Sequence, residues 1–244
     1  MYSRRWEAAH RAERKYWRTR TSWLNDYEKY EQYWHEMLKV GYCLDYDFFL
    51  DKKILEIGCG PAGILFSIRN AKYRIGIEPM DISEFLQDPE RRRIVKIGLG
   101  ENIGFEDNFF DIVLCFNALD HTANPTAVIK NVHRVLRPNG ELLLWLHVLL
   151  PNYIFLRPIL NKLDSPHPHH FTAKEIVNLV VDEGFEVKYK RIFGGLGPVA
   201  RSSIIPHNHN IKSRFGNKMM EDLWLRLRKQ DLTSTVHNAE IAFQ

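Results

Sequence analysis

The 244-residue chain is long enough to bury the core of one α/β domain with extensions, or of two small domains. It is 45% hydrophobic and 26% charged, as soluble globular proteins are, and its net charge of +4 favours no particular partner. Its three cysteines, Cys43, Cys59 and Cys115, are widely spaced and odd in number. This argues against a disulfide framework and a zinc site, and it suits a reducing compartment.

The sequence predicts neither a signal peptide nor a membrane span. The N-terminus is charged and lacks the apolar core of a signal peptide. The longest apolar run, Leu142 to Leu150, is far too short to span a bilayer. Together with the cysteines, these features predict a cytoplasmic protein without a membrane partner.

The first 20 residues are charged and predicted to be helical, with Trp6, Tyr16 and Trp17 among several arginines. This pattern fits a nucleic-acid-binding arm, in which cations contact phosphates and aromatic rings stack on bases. It also fits a solvated helix whose aromatic side chains pack on the domain, which we prefer because short basic helices are common. Aromatic residues then recur at helical spacing from Trp23 to Trp34, which predicts a helix packed on the core.

The most informative stretch combines a short apolar strand, Ile54 to Ile57, with the glycines Gly58, Gly60 and Gly63. Glycine suits a sharp turn whose backbone approaches a ligand closely, where a Cβ would be in the way. The apolar pattern from Ile64 to Ile68 predicts a helix, and the amides at its start would face the ligand. Strand, glycine turn and helix together predict a nucleotide-type binding edge.

The spacing of Gly58, Gly60 and Gly63 fits the dinucleotide fingerprint, and Glu78 follows the second predicted strand as that fingerprint requires. Glu56 argues against this ligand, because a pyrophosphate gains little from another negative charge. A ligand with a cationic sulfonium and an amino group tolerates or uses that acid. A nicotinamide enzyme and a purely structural glycine turn remain alternatives.

The stretch from Glu56 to Gly60 resembles motif I of the class I S-adenosylmethionine (SAM) methyltransferases, Glu/Asp-x-Gly-x-Gly, and Gly76 to Pro79 resembles the next motif. The resemblance implies SAM as the cofactor and S-adenosylhomocysteine as its product. It implies that Glu78 holds the two ribose hydroxyls. The cofactor-binding residues expected from it are Glu56, Gly58, Cys59, Gly60, Glu78, Pro79, Met80, Leu99, Gly100, Glu101 and Asn117.

The segment from Gly98 to Phe105, after a short helix at 81–86 and a third strand at 93–97, resembles the family's Gly-Asp-Ala-Glu-x-Leu-Pro-Phe segment. Leu99 replaces the Asp that bonds the adenine amino group in the family. Adenine recognition would therefore rest on backbone groups near Leu99 and Gly100 and on packing from Met80.

A fourth strand, Phe110 to Phe116, is followed by a helix that starts at Asn124-Pro125, with Asn as N-cap and Pro at the first helical position. A turn at 137–140 then leads to a fifth strand at 141–145. This block resembles the same run in the methyltransferases. With motif I, the resemblance covers about residues 52 to 150.

The C-terminal part begins with an irregular segment, 151–170, rich in proline and histidine. Thr172 and Glu175 predict a capping box, and Gly184 ends that helix. A sixth strand is predicted at 185–193, a helix from Asn217 to about Arg228, and a closing antiparallel strand at 239–243.

The predicted fold is a doubly wound, Rossmann-like α/β sheet of seven strands. Its expected parts are an N-terminal helical cap or lid at 1–50, a SAM-binding core at 51–193, and a C-terminal insertion helix with the closing strand at 194–244. The lid role of the N-terminal helices is implied only by the resemblance.

Methyl transfer from SAM is an in-line displacement, so an enzyme must mainly align donor and acceptor. A hydroxyl acceptor also needs a base that works near neutral pH, which suits histidine. His121, beside Asp120, follows the fourth strand, and His147 follows the fifth, so both should reach the ligand-binding edge of the sheet. Asp120, His121 and His147 are the predicted catalytic residues, although a lone histidine is more often structural.

His167, His169 and His170 could share a metal with His207 and His209. We prefer a polar loop that faces the substrate, with Trp34 as a further substrate contact, and we predict no metal. No Asn/Asp-Pro-Pro-Tyr/Phe motif follows the fourth strand, and no Pro-Cys pair is present. Nucleic-acid methyltransferases that depend on these motifs are therefore disfavoured.

The sequence thus predicts a SAM-dependent methyltransferase that acts on oxygen, or next on nitrogen, of a small molecule. An RNA methyltransferase that uses the basic arm and a SAM-binding protein without catalysis are the alternatives. A homodimer is left open.

Overall fold

Seven strands form the sheet of the computed structural model, which describes residues 4–20, 24–163, 167–194 and 219–230. The strands are β1 (Lys53–Ile57), β2 (Tyr73–Glu78), β3 (Val95–Ile97), β4 (Phe110–Phe116), β5 (Leu136–Leu149), β6 (Phe185–Gly194) and β7 (Met220–Lys229). Their order across the sheet is β3-β2-β1-β4-β5-β7-β6. The first five strands pair in parallel, and β7 runs antiparallel to both β5 and β6. The predicted doubly wound sheet of seven strands is confirmed.

The α-helices are α1 (Arg4–Arg18), α2 (Tyr27–Tyr42), α3 (Pro89–Arg93), α4 (Pro125–Val135), α5 (Arg157–Leu163) and α6 (Ala173–Asp182). Short 3₁₀ turns occupy Tyr46–Phe49, Ile64–Phe66, Ser83–Phe85, Leu119–His121 and Pro151–Leu156. No helix of the described residues is long and apolar enough to cross a membrane.

Each face of the sheet has its own core, because successive strand residues point to opposite faces. On one face, Val113 and Cys115 of β4 lie in a cluster with α4 and α6 residues such as Val128 and Ile176. On the other face, side chains of β1, β4 and β5 pack with α2. Trp34 of α2 stacks on Phe116 with ring centroids 5.7 Å apart. The N-terminal segment therefore shares a core with the sheet through α2.

The capping motifs form as predicted. Asn124 accepts a hydrogen bond from the Ala127 amide at the start of α4, with Pro125 at the first position. Thr172 and Glu175 form the capping box of α6, with each side chain accepting from the other residue's amide. These bonds satisfy backbone donors that no helical carbonyl can reach.

The helix predicted after the glycine turn is wrong. Only the 3₁₀ turn Ile64–Phe66 forms, because the Glu56 carboxylate accepts the amides of Ile64 and Leu65. The guanidinium of Arg74 then donates to the carbonyls of Leu65 and Ile68. Side chains thus take the backbone groups that a longer helix would pair internally. The short helix predicted at 81–86 is likewise reduced to the 3₁₀ turn Ser83–Phe85.

The helix predicted from Asn217 to Arg228 is also wrong, since most of that range forms β7. Because β7 lies between β5 and β6, both of its faces are covered: Leu223 and Leu225 enter one core and Trp224 the other. Such a doubly buried run lacks the alternation that distinguishes a strand from a helix. β7 is the antiparallel strand of the sheet, and the strand predicted at 239–243 lies outside the described residues.

β5 is longer than predicted and includes the predicted turn at 137–140. Leu136 pairs with Phe110, whereas Glu141 pairs with Ile112, so four residues bulge between these two pairings. Asn139 takes a left-handed conformation there, with φ of 60°. The turn therefore interrupts the pairing without ending the strand.

Gly41 supplies a stability prediction, since a Cβ at this position would lie 2.1 Å from Cε3 of Trp224. Trp224 is buried and stacks on Trp145 at 4.9 Å, so it has little room to move. We expect Gly41→Ala to lower the free energy of unfolding by about 1–3 kcal/mol, despite the helix propensity of alanine. Urea denaturation measures this. Gly104→Ala is the control, because nothing lies within 4 Å of its added Cβ; equal stability of the two variants would contradict the prediction.

Candidate active site

A cleft opens at the carboxyl edge of the sheet, where the strand order reverses between β1 and β4. In doubly wound sheets this switch point is where ligands bind. The cleft encloses about 500 Å³, including its open mouth. Its walls are formed by His10, Glu13, Ile57, Gly58, Ile77, Glu78, Pro79, Leu99, Gly100, Glu101, Asn117, Ala118, His121 and Thr122.

The structure places most of the expected cofactor residues on these walls. They are Gly58, Glu78, Pro79, Leu99, Gly100, Glu101 and Asn117. Four others lie behind the walls, namely Glu56, Cys59, Gly60 and Met80, and all four are buried. Of the predicted catalytic residues, His121 lines the cleft, whereas Asp120 and His147 do not.

Two glycines of the turn adopt conformations that suit no other residue well. Gly58 has φ of +64° and Gly60 has φ of +48°, both in the left-handed region. A Cβ on Gly58 would also lie 2.5 Å from the Cβ of Ala118 across the cleft. Gly63 is constrained by contact alone, because its Cβ would meet Glu56 Oε2 at 2.6 Å. The turn is therefore closely packed, at Gly58 against Ala118 and at Gly63 against Glu56.

Glu78 joins the glycine turn to the end of β2. Its carboxylate accepts hydrogen bonds from the Gly60 amide at 2.9 Å and the Met80 amide at 3.0 Å. The residue is 3% exposed, yet it forms part of the cleft wall. Burial raises the pKa of Glu78 to about 8, and the nearby Glu13 carboxylate adds to the rise.

Glu56 lies beneath the turn and does not reach the cleft wall. Its carboxylate accepts the amides of Ile64 at 3.2 Å and Leu65 at 2.8 Å. Burial raises the pKa of Glu56 to about 8 even though these amides favour the charged form. From α2, the Tyr30 hydroxyl donates to the Gly63 carbonyl, which fixes the far side of the turn. In this structure Glu56 supports the turn from behind.

The loop expected to hold adenine is tied to the start of α4. Glu101 Oε1 accepts the amides of Ala123 at 2.7 Å and Asn124 at 3.1 Å. A Cβ on Gly100 would lie 2.9 Å from Ile57 Cγ2, so the loop packs closely on β1. Leu99 and Gly100 thereby reach the cleft, whereas Met80 is buried outside it.

Helix α1 contributes two wall residues that the sequence did not single out, His10 and Glu13. Arg14 and Arg18 pair with Glu84 beyond β2 and hold the helix across the cleft. The Trp17 ring packs near Gly60, 3.7 Å from where a Cβ would stand. His10, Glu13 and Trp17 follow helical spacing, the one signal that could have grouped them.

His121 lies in the 3₁₀ turn after β4, next to the buried Asp120. The His167 ring approaches the His121 ring, with centroids 4.8 Å apart. The other predicted substrate-loop histidines have structural partners: His169 contacts the Thr122 carbonyl at 3.0 Å, and His170 contacts Asn161 Oδ1 at 2.7 Å. Trp34 is buried and donates to the Ala62 carbonyl at 3.1 Å, away from the cleft wall.

His147 has a carboxylate partner that the sequence did not reveal. Its Nδ1 lies 2.6 Å from Oδ1 of Asp222, the residue paired with it across β5 and β7. Asp222 is fully buried, whereas 24% of the His147 side chain is exposed. The two atoms do not form a hydrogen bond in this structure despite their proximity. The helix predicted over Asp222 concealed this pairing.

The charge of the cleft distinguishes between the two nucleotide types. Its described walls contain three carboxylates, Glu13, Glu78 and Glu101, and neither lysine nor arginine. Since the raised pKa of Glu78 keeps it protonated near neutral pH, Glu13 and Glu101 are the wall residues that would repel a pyrophosphate and attract a cationic sulfonium with an amino group. The glycine turn leaves room beside these acids, so the residues fit SAM.

Residues 55–144 match the family described as a methyltransferase domain. This match covers β1 to β5, which carry the glycine turn and most of the cleft wall. An ubiquinone biosynthesis O-methyltransferase of Pseudomonas syringae is 32% identical to it over 101 residues, which cover 37% of this chain and 42% of that protein. The match thus spans less than half the length of this curated relative.

Solved structures share the fold of this chain. The YcgJ protein of Bacillus subtilis superposes with a TM-score of 0.59 and 16% identity, over 80% of this chain and 97% of that chain. A SAM-dependent methyltransferase of Thermotoga maritima gives a TM-score of 0.53 and 21% identity, over 88% of this chain and 100% of that chain. At these identities the likeness shows the fold alone.

The buried acids Glu56 and Glu78 predict an unusual pH dependence of stability. Their pKa values are about 8 in the fold against a usual 4.5, so the folded state retains protons that the unfolded state loses. The contribution of these two acids to the free energy of unfolding of the ligand-free protein should therefore be greatest below about pH 5. It should fall as the pH rises toward 8. The limiting slope is about 1.4 kcal/mol per pH unit for each acid.

Urea denaturation between pH 5 and 8 measures this dependence. Glu78→Gln removes one of the two titrating groups and should flatten the slope. A wild-type stability that rises through this range, with the same slope in Glu78→Gln, would contradict the assignment.

Proposed function

We propose that this chain is an enzyme that transfers a methyl group from SAM to an oxygen of a small-molecule acceptor, with nitrogen as the next choice. The observation that carries the proposal is the acidic cleft beside the glycine turn at the switch point of the sheet. The O-methyltransferase name of the Pseudomonas relative favours oxygen.

In this proposal, different residues of the described walls bind different parts of SAM. Gly58 and Asn117 border the methionine part of SAM, because the glycine turn has no side chain there that would occupy its space. Glu78 accepts hydrogen bonds from the ribose hydroxyls, and Leu99 and Gly100 face the adenine. Bound SAM supplies a methyl group activated by the positive sulfur, and the chain aligns that group with the acceptor.

The proton of a hydroxyl acceptor goes to His147 in this proposal. Support comes from the Asp222 carboxylate at Nδ1, which can fix the ring and stabilise the imidazolium, as carboxylates do for catalytic histidines. The partial exposure of His147 leaves the ring open to a ligand. General bases of this kind contribute rate factors of about 10²–10⁴.

The acceptor is a small molecule in this proposal, and the basic N-terminal helix serves the cleft. The pairs between Glu84 and two arginines of α1, and the two α1 side chains on the cleft wall, support this role. The three cysteines are free, which supports the predicted reducing, cytoplasmic compartment. The homodimer stays a prediction.

Calorimetric titration with SAM, S-adenosylhomocysteine and NAD tests the cofactor. We expect the first two to bind and NAD not to bind. Glu78→Ala should weaken both by about tenfold or more, because two charge-assisted hydrogen bonds are lost. Gly104→Ala, outside the cleft, is the control. Binding of NAD without binding of SAM or S-adenosylhomocysteine would contradict the proposal.

The proposal also predicts that the protein releases a proton when S-adenosylhomocysteine binds. Glu78 is protonated below about pH 8 in the ligand-free protein, but it must be ionised to accept both ribose hydroxyls. S-adenosylhomocysteine should therefore bind with proton release near pH 7 and more tightly at pH 8 than at pH 6. Titrations in buffers of different ionisation enthalpy measure this release, which should vanish in Glu78→Gln.

Turnover tests the base. A panel of small phenols, alcohols and amines is screened by release of S-adenosylhomocysteine, and the best acceptor is used with the variants. His147→Ala and Asp222→Asn should lower kcat about 10²–10⁴-fold at unchanged affinity for S-adenosylhomocysteine. His133 packs against Phe185 away from the cleft, so the control variant His133→Ala should have the kcat of the wild type. Full activity of His147→Ala would remove His147 from the mechanism.

A further inference from the structure

Asp120 carries a buried carboxylate oxygen without a hydrogen bond. The residue is 3% exposed, and its Oδ1 has no hydrogen-bond partner. Its other oxygen, Oδ2, lies 3.9 Å from His121 Nε2, which is too far for a hydrogen bond. A charged group buried in this way is costly unless a cation or donors meet it.

Two histidines converge on this carboxylate from separate segments. His121 follows Asp120 in the turn after β4, and His167 comes from the loop before α6. One carboxylate oxygen of Asp120 and one ring nitrogen of each histidine all lie within 4.8 Å of one another. Three potential metal ligands thus share one small volume.

The loop that carries His167 is anchored to the turn that carries Asp120. The His169 amide donates to the Asp120 carbonyl at 3.3 Å, and the His169 ring contacts the Thr122 carbonyl at 3.0 Å. These contacts lie two residues from His167, so they restrict where its ring can go. The loop is therefore held beside the turn through His169.

We propose that Asp120, His121 and His167 bind a divalent transition-metal cation. Imidazole nitrogens with a carboxylate oxygen suit Zn²⁺, Mn²⁺ or Fe²⁺. Three protein ligands leave at least one coordination position for another molecule, as in catalytic metal sites. The sequence predicted no metal because His167 was grouped with its neighbours in the chain, whereas the fold brings it to the turn after β4.

This site adjoins the cofactor cleft, because His121 lines the cleft wall. The consequence rests on the function proposed above: the open position takes the acceptor oxygen and lowers the pKa of its hydroxyl. The proton then passes to His147. The acceptor oxygen forms its bond to the methyl carbon as the carbon–sulfur bond breaks, which leaves a neutral thioether. The acceptor class is therefore a hydroxyl compound that can bind a metal.

Metal binding is tested on the full chain after removal of metals with a chelator. Titration with Zn²⁺ and Mn²⁺ should give one equivalent, and Co²⁺ should give a visible absorption band from nitrogen and oxygen ligands. His167→Ala and Asp120→Asn should each weaken binding tenfold or more. His35→Ala, a histidine outside the cleft wall, is the matched control and should bind like the wild type. Absence of binding, or unchanged binding in both ligand variants, would overturn the site.

Titration with S-adenosylhomocysteine separates this proposal from the proposed function. His167→Ala should still bind S-adenosylhomocysteine, since Glu78 and the glycine turn are unchanged, and this binding also shows that the variant folds. If cations bind and S-adenosylhomocysteine does not, the metal site stands and the proposed function fails. If S-adenosylhomocysteine binds and turnover is identical with and without cation in the chelated protein, the catalytic role of the metal is refuted.

Discussion

The cleft depends on two buried carboxylates that hold the loop at the end of the first strand. Glu78 accepts the amide of Gly60, and Glu56 accepts the amides of Ile64 and Leu65. These bonds take the place of the helix predicted after the turn, and Gly58 packs so closely against Ala118 that a Cβ would not fit. Both acids are buried, so their charged forms are disfavoured until a cation or a donor arrives. Both acids thus hold the loop, and of the two, Glu78 also forms part of the cleft wall.

A second buried carboxylate arrangement lies at the same edge of the sheet, in the turn after β4 and near the end of β5, which includes His147 instead of preceding it as predicted. Asp120 lies beside His121 and His167, and Asp222 lies beside His147. Each acid is almost completely buried and each faces imidazole rings that keep some exposure. An acid next to a histidine can help to bind a metal or can orient a catalytic base. The two clusters differ in the number of ligand atoms they offer. The first offers three ligand atoms, whereas the second offers a single pair across two strands.

Local patterns predicted the elements whose signals are contained in a few neighbouring residues. The strands β1, β2 and β4, the N-cap at Asn124 and the capping box at Thr172 all form where their residues indicated. The pattern failed where distant side chains decide the backbone. Arg74 and Glu56 bond to the segment after the glycine turn, and β7 is covered by strands on both sides. Neither environment can be read from the segment itself, because the partners lie elsewhere in the chain.

The sequence by itself determined the strands β1, β2 and β4, the capped starts of α4 and α6, the need for glycine at Gly58 and Gly60, and the acid at the end of β2. These follow from local sterics and from charge, which act over a few residues. The tertiary structure decided which side chains meet: Glu13 with Glu78, His167 with His121, and Asp222 with His147. Those pairs join residues that are far apart in the chain, and only the packing of α1, β7 and the loop before α6 brings them together. Chemistry at this edge of the sheet is therefore set by long-range contacts, since reacting groups must be positioned from several segments at once.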